Sequence, residues 1–123
     1  MDRYFIYKLV HFIGLFLLVM AMSGMIHHAV NGGKKELDKL RKQAMISHGV
    51  GSFLVLLGGF GMMARLGLTD GLPGWIIAKL AIWTVLAGAV AMIYRAEHLQ
   101  RALWWGLFAL LTLAAYLGII KPF

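Results

Sequence analysis

Lys8 and His11 lie three residues apart in Tyr7-Lys8-Leu9-Val10-His11-Phe12-Ile13-Gly14, which opens an apolar run continuing to Val30. Ionisable groups this far inside a segment otherwise suited to lipid usually face a bundle interior and mark function. The sequence puts Met62 and Arg65, Trp75 and Lys79, and Tyr116 at the same expected level, on three further apolar runs. Lys8, Arg65 and Lys79 therefore gather around His11, while the nearest acids, Asp2 and Asp70, are expected in water. Buried charge demands a partner, so a ligand should supply the missing anion. A tetrapyrrole carries two carboxylates, and neutral imidazole is a common axial ligand of heme iron. This reading makes His11 the metal ligand and Lys8, Lys79 and Arg65 the cofactor-binding cations. In the competing reading the three cations only snorkel to headgroup phosphates.

The other histidines belong to a second level. His11 and His28 are separated by about 25 Å along one helix at ~1.5 Å per residue, too far to share a metal ion. His27, His28, His48, Tyr94 and His98 fall at the inner level, where His28 and His48 form an alternative bis-histidine heme or metal site. Met20-Ala21-Met22-Ser23-Gly24-Met25-Ile26-His27-His28 also resembles a soft-ligand set for Cu(I). Helical geometry weakens that set, because Met20 and Met22 point to nearly opposite faces. The chain has no catalytic serine arrangement, phosphate loop or pair of intramembrane carboxylates, and no cysteine for thiolate chemistry.

These groups need elements to position them, and composition indicates which. The 123 residues are 61% hydrophobic, with mean hydropathy +0.80, and apolar runs cover roughly 9–30, 44–64, 75–93 and 102–120. Each approaches the ~20 residues that cross a bilayer as a helix. The expected fold is all-α, an integral membrane antiparallel four-helix bundle with four transmembrane helices, in one domain over 1–123. The first run is too long and lacks the small-residue cleavage site of a removable signal peptide, so it is expected to stay. The net charge of +7 suggests no nucleic-acid partner, because no soluble basic domain exists to use it. The Lys and Arg residues set topology and meet lipid headgroups instead.

Asn31-Gly32-Gly33 stops the first helix, and the basic segment 34–43 follows. There Leu37, Leu40 and Ala44 keep helical spacing, and Asp38 can pair with Arg41 and Lys42, so the second helix is expected to start early. Along that helix His48, Gly51, Ser52, Val55, Gly58, Gly59 and Met62 share one side, a surface for close helix packing or a flat cofactor. Thr69-Asp70-Gly71-Leu72-Pro73 reads as a turn with Pro73 opening the third helix. Residues 95–101 form a short connection, making helices 3 and 4 antiparallel neighbours, and Trp104-Trp105 reads as an interfacial anchor. Connections 1 and 3 carry Lys34, Lys35, Lys39, Arg41, Lys42, Arg95 and Arg101, whereas the other side has Arg3, Arg65 and Lys121, with Lys8 and Lys79 just inside the spans. This asymmetry places both termini outside.

Lys8-Leu9-Val10-His11, Gly74-Trp75-Ile76-Ile77-Ala78-Lys79-Leu80 and Lys121-Pro122-Phe123 together resemble the HemJ type, small bacterial heme-b membrane proteins that oxidise protoporphyrinogen IX. More distantly the chain looks like the CopD and SirB-type four-helix membrane proteins. The resemblance implies heme ligation at His11 and a functionally important, catalytic lysine at Lys79, in a bacterial inner membrane, where the charge count makes both termini periplasmic. The chain departs from the family pattern at Ile77, where a histidine is typical, at Ala87-Gly88-Ala89 in place of a Tyr-His pair, and at Ser23 to His28. The leading expectation is heme b with electron transfer or oxidation of a hydrophobic tetrapyrrole or quinol. The alternatives are a cofactor-free accessory subunit, as a homo-oligomer or within a larger complex, and a copper-handling protein using Met22, Met25 and His28.

Overall fold

The computed structural model describes residues 2–67 and 70–123. Four helices carry the fold: α1 (Arg3–Val30), α2 (Arg41–Arg65), α3 (Gly74–Ala89) and α4 (Gln100–Ile120). A 3-10 turn, Val90–Met92, prolongs α3, and a second, Glu97–Leu99, leads into α4. All four are long and apolar enough to cross a membrane once these turns are included. The expected all-α four-helix bundle is the fold observed.

Each boundary has a local cause. Asp2 caps α1, its carboxylate accepting the N–H of Tyr4 at 3.2 Å. At the other end Gly32 takes φ +80°, a left-handed conformation that glycine adopts without penalty, and the N–H groups of Gly32 and Gly33 satisfy the carbonyls of Ala29 and His28. Pro73 occupies the position before α3, one residue earlier than expected, and its carbonyl accepts from Ile76 and Ile77. Thr69, part of the turn read from the sequence, lies outside the described residues. Lys121 ends α4 at φ +53°, and Pro122, lacking an N–H, cannot continue the helix.

One expected element fails. The second helix does not start early: residues 34–40 form a 3-10 turn over Lys35–Leu37 and a short irregular stretch. Asp38 turns its carboxylate to the Leu40 N–H at 3.0 Å, and its carbonyl accepts the N–H of Arg41, so it starts α2 rather than pairing along it. Leu37 and Leu40 are 71% and 61% exposed; with no face to bury, their helical spacing had nothing to stabilise it.

Packing is closest between α1 and α2, and glycine makes it so. A Cβ on Gly14 would lie 2.6 Å from the carbonyl of Gly51, and one on Gly51 would lie 2.7 Å from the carbonyl of Gly14. Gly58 backs directly onto the His11 backbone, and Gly61 takes the Tyr7 ring. The small-residue side of α2 is therefore spent on α1, the packing use of such a stripe. Helix α3 packs on α4, and α4 on α1. The buried core joins Leu18, Met22, Met25 and Ile26 of α1 to Ile82, Leu86, Ile93, Leu107 and Leu117.

Replacing Gly51 by Ala must push two backbones apart, an overpacking cost of about 1–3 kcal/mol. Gly24→Ala, with nothing within 4 Å of the new methyl, should be neutral or slightly stabilising. Thermal unfolding in detergent micelles, read by loss of helical circular dichroism, should give a clear drop in midpoint for G51A and none for G24A.

Candidate functional site

Two side-chain-to-backbone hydrogen bonds join α2 to α3. His48 donates from Nε2 to the Leu86 carbonyl at 3.2 Å, and one turn along α2 the Trp83 indole N–H donates to the Ser52 carbonyl at 2.8 Å. Beside these bonds lies a cavity of about 660 Å³ walled by all four helices. That volume falls in the ~300–1,000 Å³ range of small-molecule and cofactor sites. Its walls are mostly apolar, with Phe12, Phe16, Leu56, Phe60, Leu80 and Leu111 among them.

His11 lines this cavity and is otherwise buried. Gly58 lets α1 approach so closely that His11 Nδ1 lies 2.8 Å from the Val55 carbonyl. A carbonyl can only accept, so Nδ1 carries the proton and the neutral ring's lone pair is on Nε2. Fixing the tautomer through a backbone carbonyl is the arrangement that presents imidazole to a metal. Among the described residues Nε2 has no hydrogen-bond partner.

Three lysines line the same cavity: Lys8, Lys79 and Lys121. A Cβ on Gly118 would lie 2.9 Å from Lys79 Nζ, and Lys121 Nζ donates to the Gly118 carbonyl at 2.8 Å. Two ammonium groups thus reach the same residue of α4. Lys121 also lies 5.4 Å from the centroid of the Trp75 ring, a cation–π distance. No Asp or Glu stands among the described lining residues. Asp2 caps α1 from an exposed position, and Asp70 is exposed.

Lys8, His11, Met62, Trp75 and Lys79 therefore come together as their spacing suggests, but Arg65 and Tyr116 do not. Both are exposed and outside the cavity wall. Lys121 takes the place given to Arg65. Sequence reasoning counted it only as a flanking charge, because its approach depends on a chain reversal after Ile120. That reversal also closes a second contact. Phe123 packs its ring on Gly74 and accepts the Trp75 N–H at 3.3 Å, so the terminal Lys-Pro-Phe meets Gly74-Trp75 in space.

The inner histidines do not assemble. His28 donates from Nε2 to the Lys34 carbonyl at 2.9 Å and packs against Gly33, stabilising the end of α1. His48 spends its Nε2 on Leu86, and His27 and His98 are exposed. No group of three or more His, Cys, Asp or Glu capable of holding a metal occurs among the described residues. Of the candidate copper set, Met22 and Met25 are buried core residues, and His28 spends Nε2 on the Lys34 carbonyl; Met20, earlier in the same run, is 62% exposed. Tyr94 sits 6.4 Å from the His28 ring, its hydroxyl buried without a partner. Burial pushes its phenol above the usual range, helped by the negative charge of Asp38.

No protein-family model, curated protein or solved structure matches the chain.

Trp83→Phe removes the indole donor that ties α3 to α2 and should cost about 1 kcal/mol. Tyr94→Phe removes a hydroxyl that has no partner and should cost nothing or stabilise slightly. Denaturant titration of the two variants beside the native chain separates these outcomes.

Proposed function

We propose that the cavity binds heme b, that His11 is its iron ligand through Nε2, and that Lys79, Lys121 and Lys8 pair with its propionates. The observation that carries this reading is the His11 ring, with Nδ1 held by Val55 and Nε2 unbonded at the wall of an acid-free, lysine-bearing cavity. The wall is apolar where a tetrapyrrole's body needs it, and the cations gather where carboxylates need them. Heme supplies one-electron redox chemistry when bound. The chain's own residues hold the ligand nitrogen in one tautomer, neutralise anionic groups and exclude water.

The activity proposed is electron transfer, or oxidation of a hydrophobic tetrapyrrole or quinol, with Lys79 placed to meet an anionic group of the substrate. The resemblance of Lys8 to His11, Gly74 to Leu80 and Lys121 to Phe123 to heme-b oxidases of protoporphyrinogen supports this choice. The same resemblance supports a bacterial inner membrane, and the charge count supports periplasmic termini.

Purified protein titrated with hemin should develop a Soret band saturating near one heme per chain. His11→Ala should abolish or shift the band. Lys79→Gln and Lys121→Gln should each weaken heme affinity roughly tenfold, the scale of a hydrogen bond to a charged group, while Arg65→Gln should leave affinity within about twofold, the scale of a distant surface charge. Heme binding unchanged in H11A, or no band in the native protein, would overturn the reading.

A further inference from the structure

At the opposite end of the bundle from Lys79, a second groove of about 270 Å³ runs between the end of α1 and the start of α4. His27 and Val30 line one side, and Arg101, Trp104 and Trp105 the other. We propose that this groove binds the headgroup phosphate of an anionic phospholipid, with the first methylenes of the lipid along the two indoles. The proposal is independent of heme.

Three observations converge. Arg101 is exposed and lines the groove, and no acid stands among the described lining residues. A planar guanidinium is the group best matched to phosphate oxygens. The remaining walls are apolar: Val30, Trp104 and Trp105, the last 68% exposed. A free phosphate ion would leave those indoles and Val30 without a purpose, whereas a lipid uses both halves of the groove. Charge complementarity extends outward. The connections at this end carry Lys34, Lys35, Lys39, Arg41, Lys42 and Arg95 against Glu36, Asp38 and Glu97, which draws anionic lipid toward it.

The test uses the full chain reconstituted in nanodiscs containing phosphatidylcholine and phosphatidylglycerol, then released for native mass spectrometry. The native protein should retain one phosphatidylglycerol in preference to phosphatidylcholine. Arg101→Gln should lower that preference roughly fivefold, the equivalent of ~1 kcal/mol for one cation near the surface. Trp105→Ala should lower the retention of both lipids. Lys35→Gln removes a cation outside the groove and should lower the preference distinctly less than Arg101→Gln. Equal loss in K35Q and R101Q would replace a site by a diffuse basic collar and overturn the proposal. No preference for phosphatidylglycerol in the native protein would also overturn it, as would displacement of the lipid by millimolar inorganic phosphate.

Discussion

The whole arrangement depends on how closely α1 and α2 approach each other. Gly14, Gly51 and Gly58 bring backbone against backbone at distances that no methyl group would permit. In lipid there is no hydrophobic force to press helices together, so close approach, dispersion and interhelical hydrogen bonds must supply the adhesion. One product of this approach lies at the cavity wall. The same proximity that places Gly58 on the His11 backbone puts the His11 ring within 2.8 Å of the Val55 carbonyl. A structural contact therefore fixes the orientation and tautomer of the one imidazole that borders the large cavity.

The cavity lies beside the hydrogen bonds that join α2 to α3. Where His48 and Trp83 reach across to backbone carbonyls, the two helices are tied. Past that point the side chains are Val55, Gly59 and Met62 on one side and Lys79, Ile76 and Trp75 on the other, and no polar bond draws them together among the described residues. Space stays open at the end where the cations collect. Like charges repel strongly where the dielectric constant is low, and Lys79 and Lys121 meeting at Gly118 without a carboxylate is an arrangement that an anionic ligand relieves. The opposite end carries indoles and a guanidinium around a second groove. The two ends of the bundle thus present different chemistry.

Much of this was legible in the residues. Four apolar runs of membrane-spanning length gave the helices and their order, because a bilayer leaves the backbone no other way to satisfy its hydrogen bonds than helices or closed barrels. The small-residue side of α2 announced a close contact. Lys8, His11, Trp75 and Lys79 could be placed at one level by counting residues along helices, since rise per residue is fixed. The amphipathic spacing of Leu37, Leu40 and Ala44 misled, because spacing describes a face without saying whether anything covers it. Arg65 misled for a related reason: counting gives the height of a residue but leaves its direction around the helix axis open.

By itself, then, the sequence determined fold class, helix number and the level of Lys8, His11, Trp75 and Lys79 along their helices, all properties of hydropathy and of distance along a chain. Only the tertiary structure decided which residues share a space. The choice of α1 as partner for the glycines of α2, the carbonyl that holds His11, and the αL turn at Lys121 that brings a third lysine to the cavity all depend on rotation and approach between helices. Those follow from groups meeting across long distances in sequence, 48 residues between Trp75 and Phe123 and more between α1 and α4, and no local pattern encodes them.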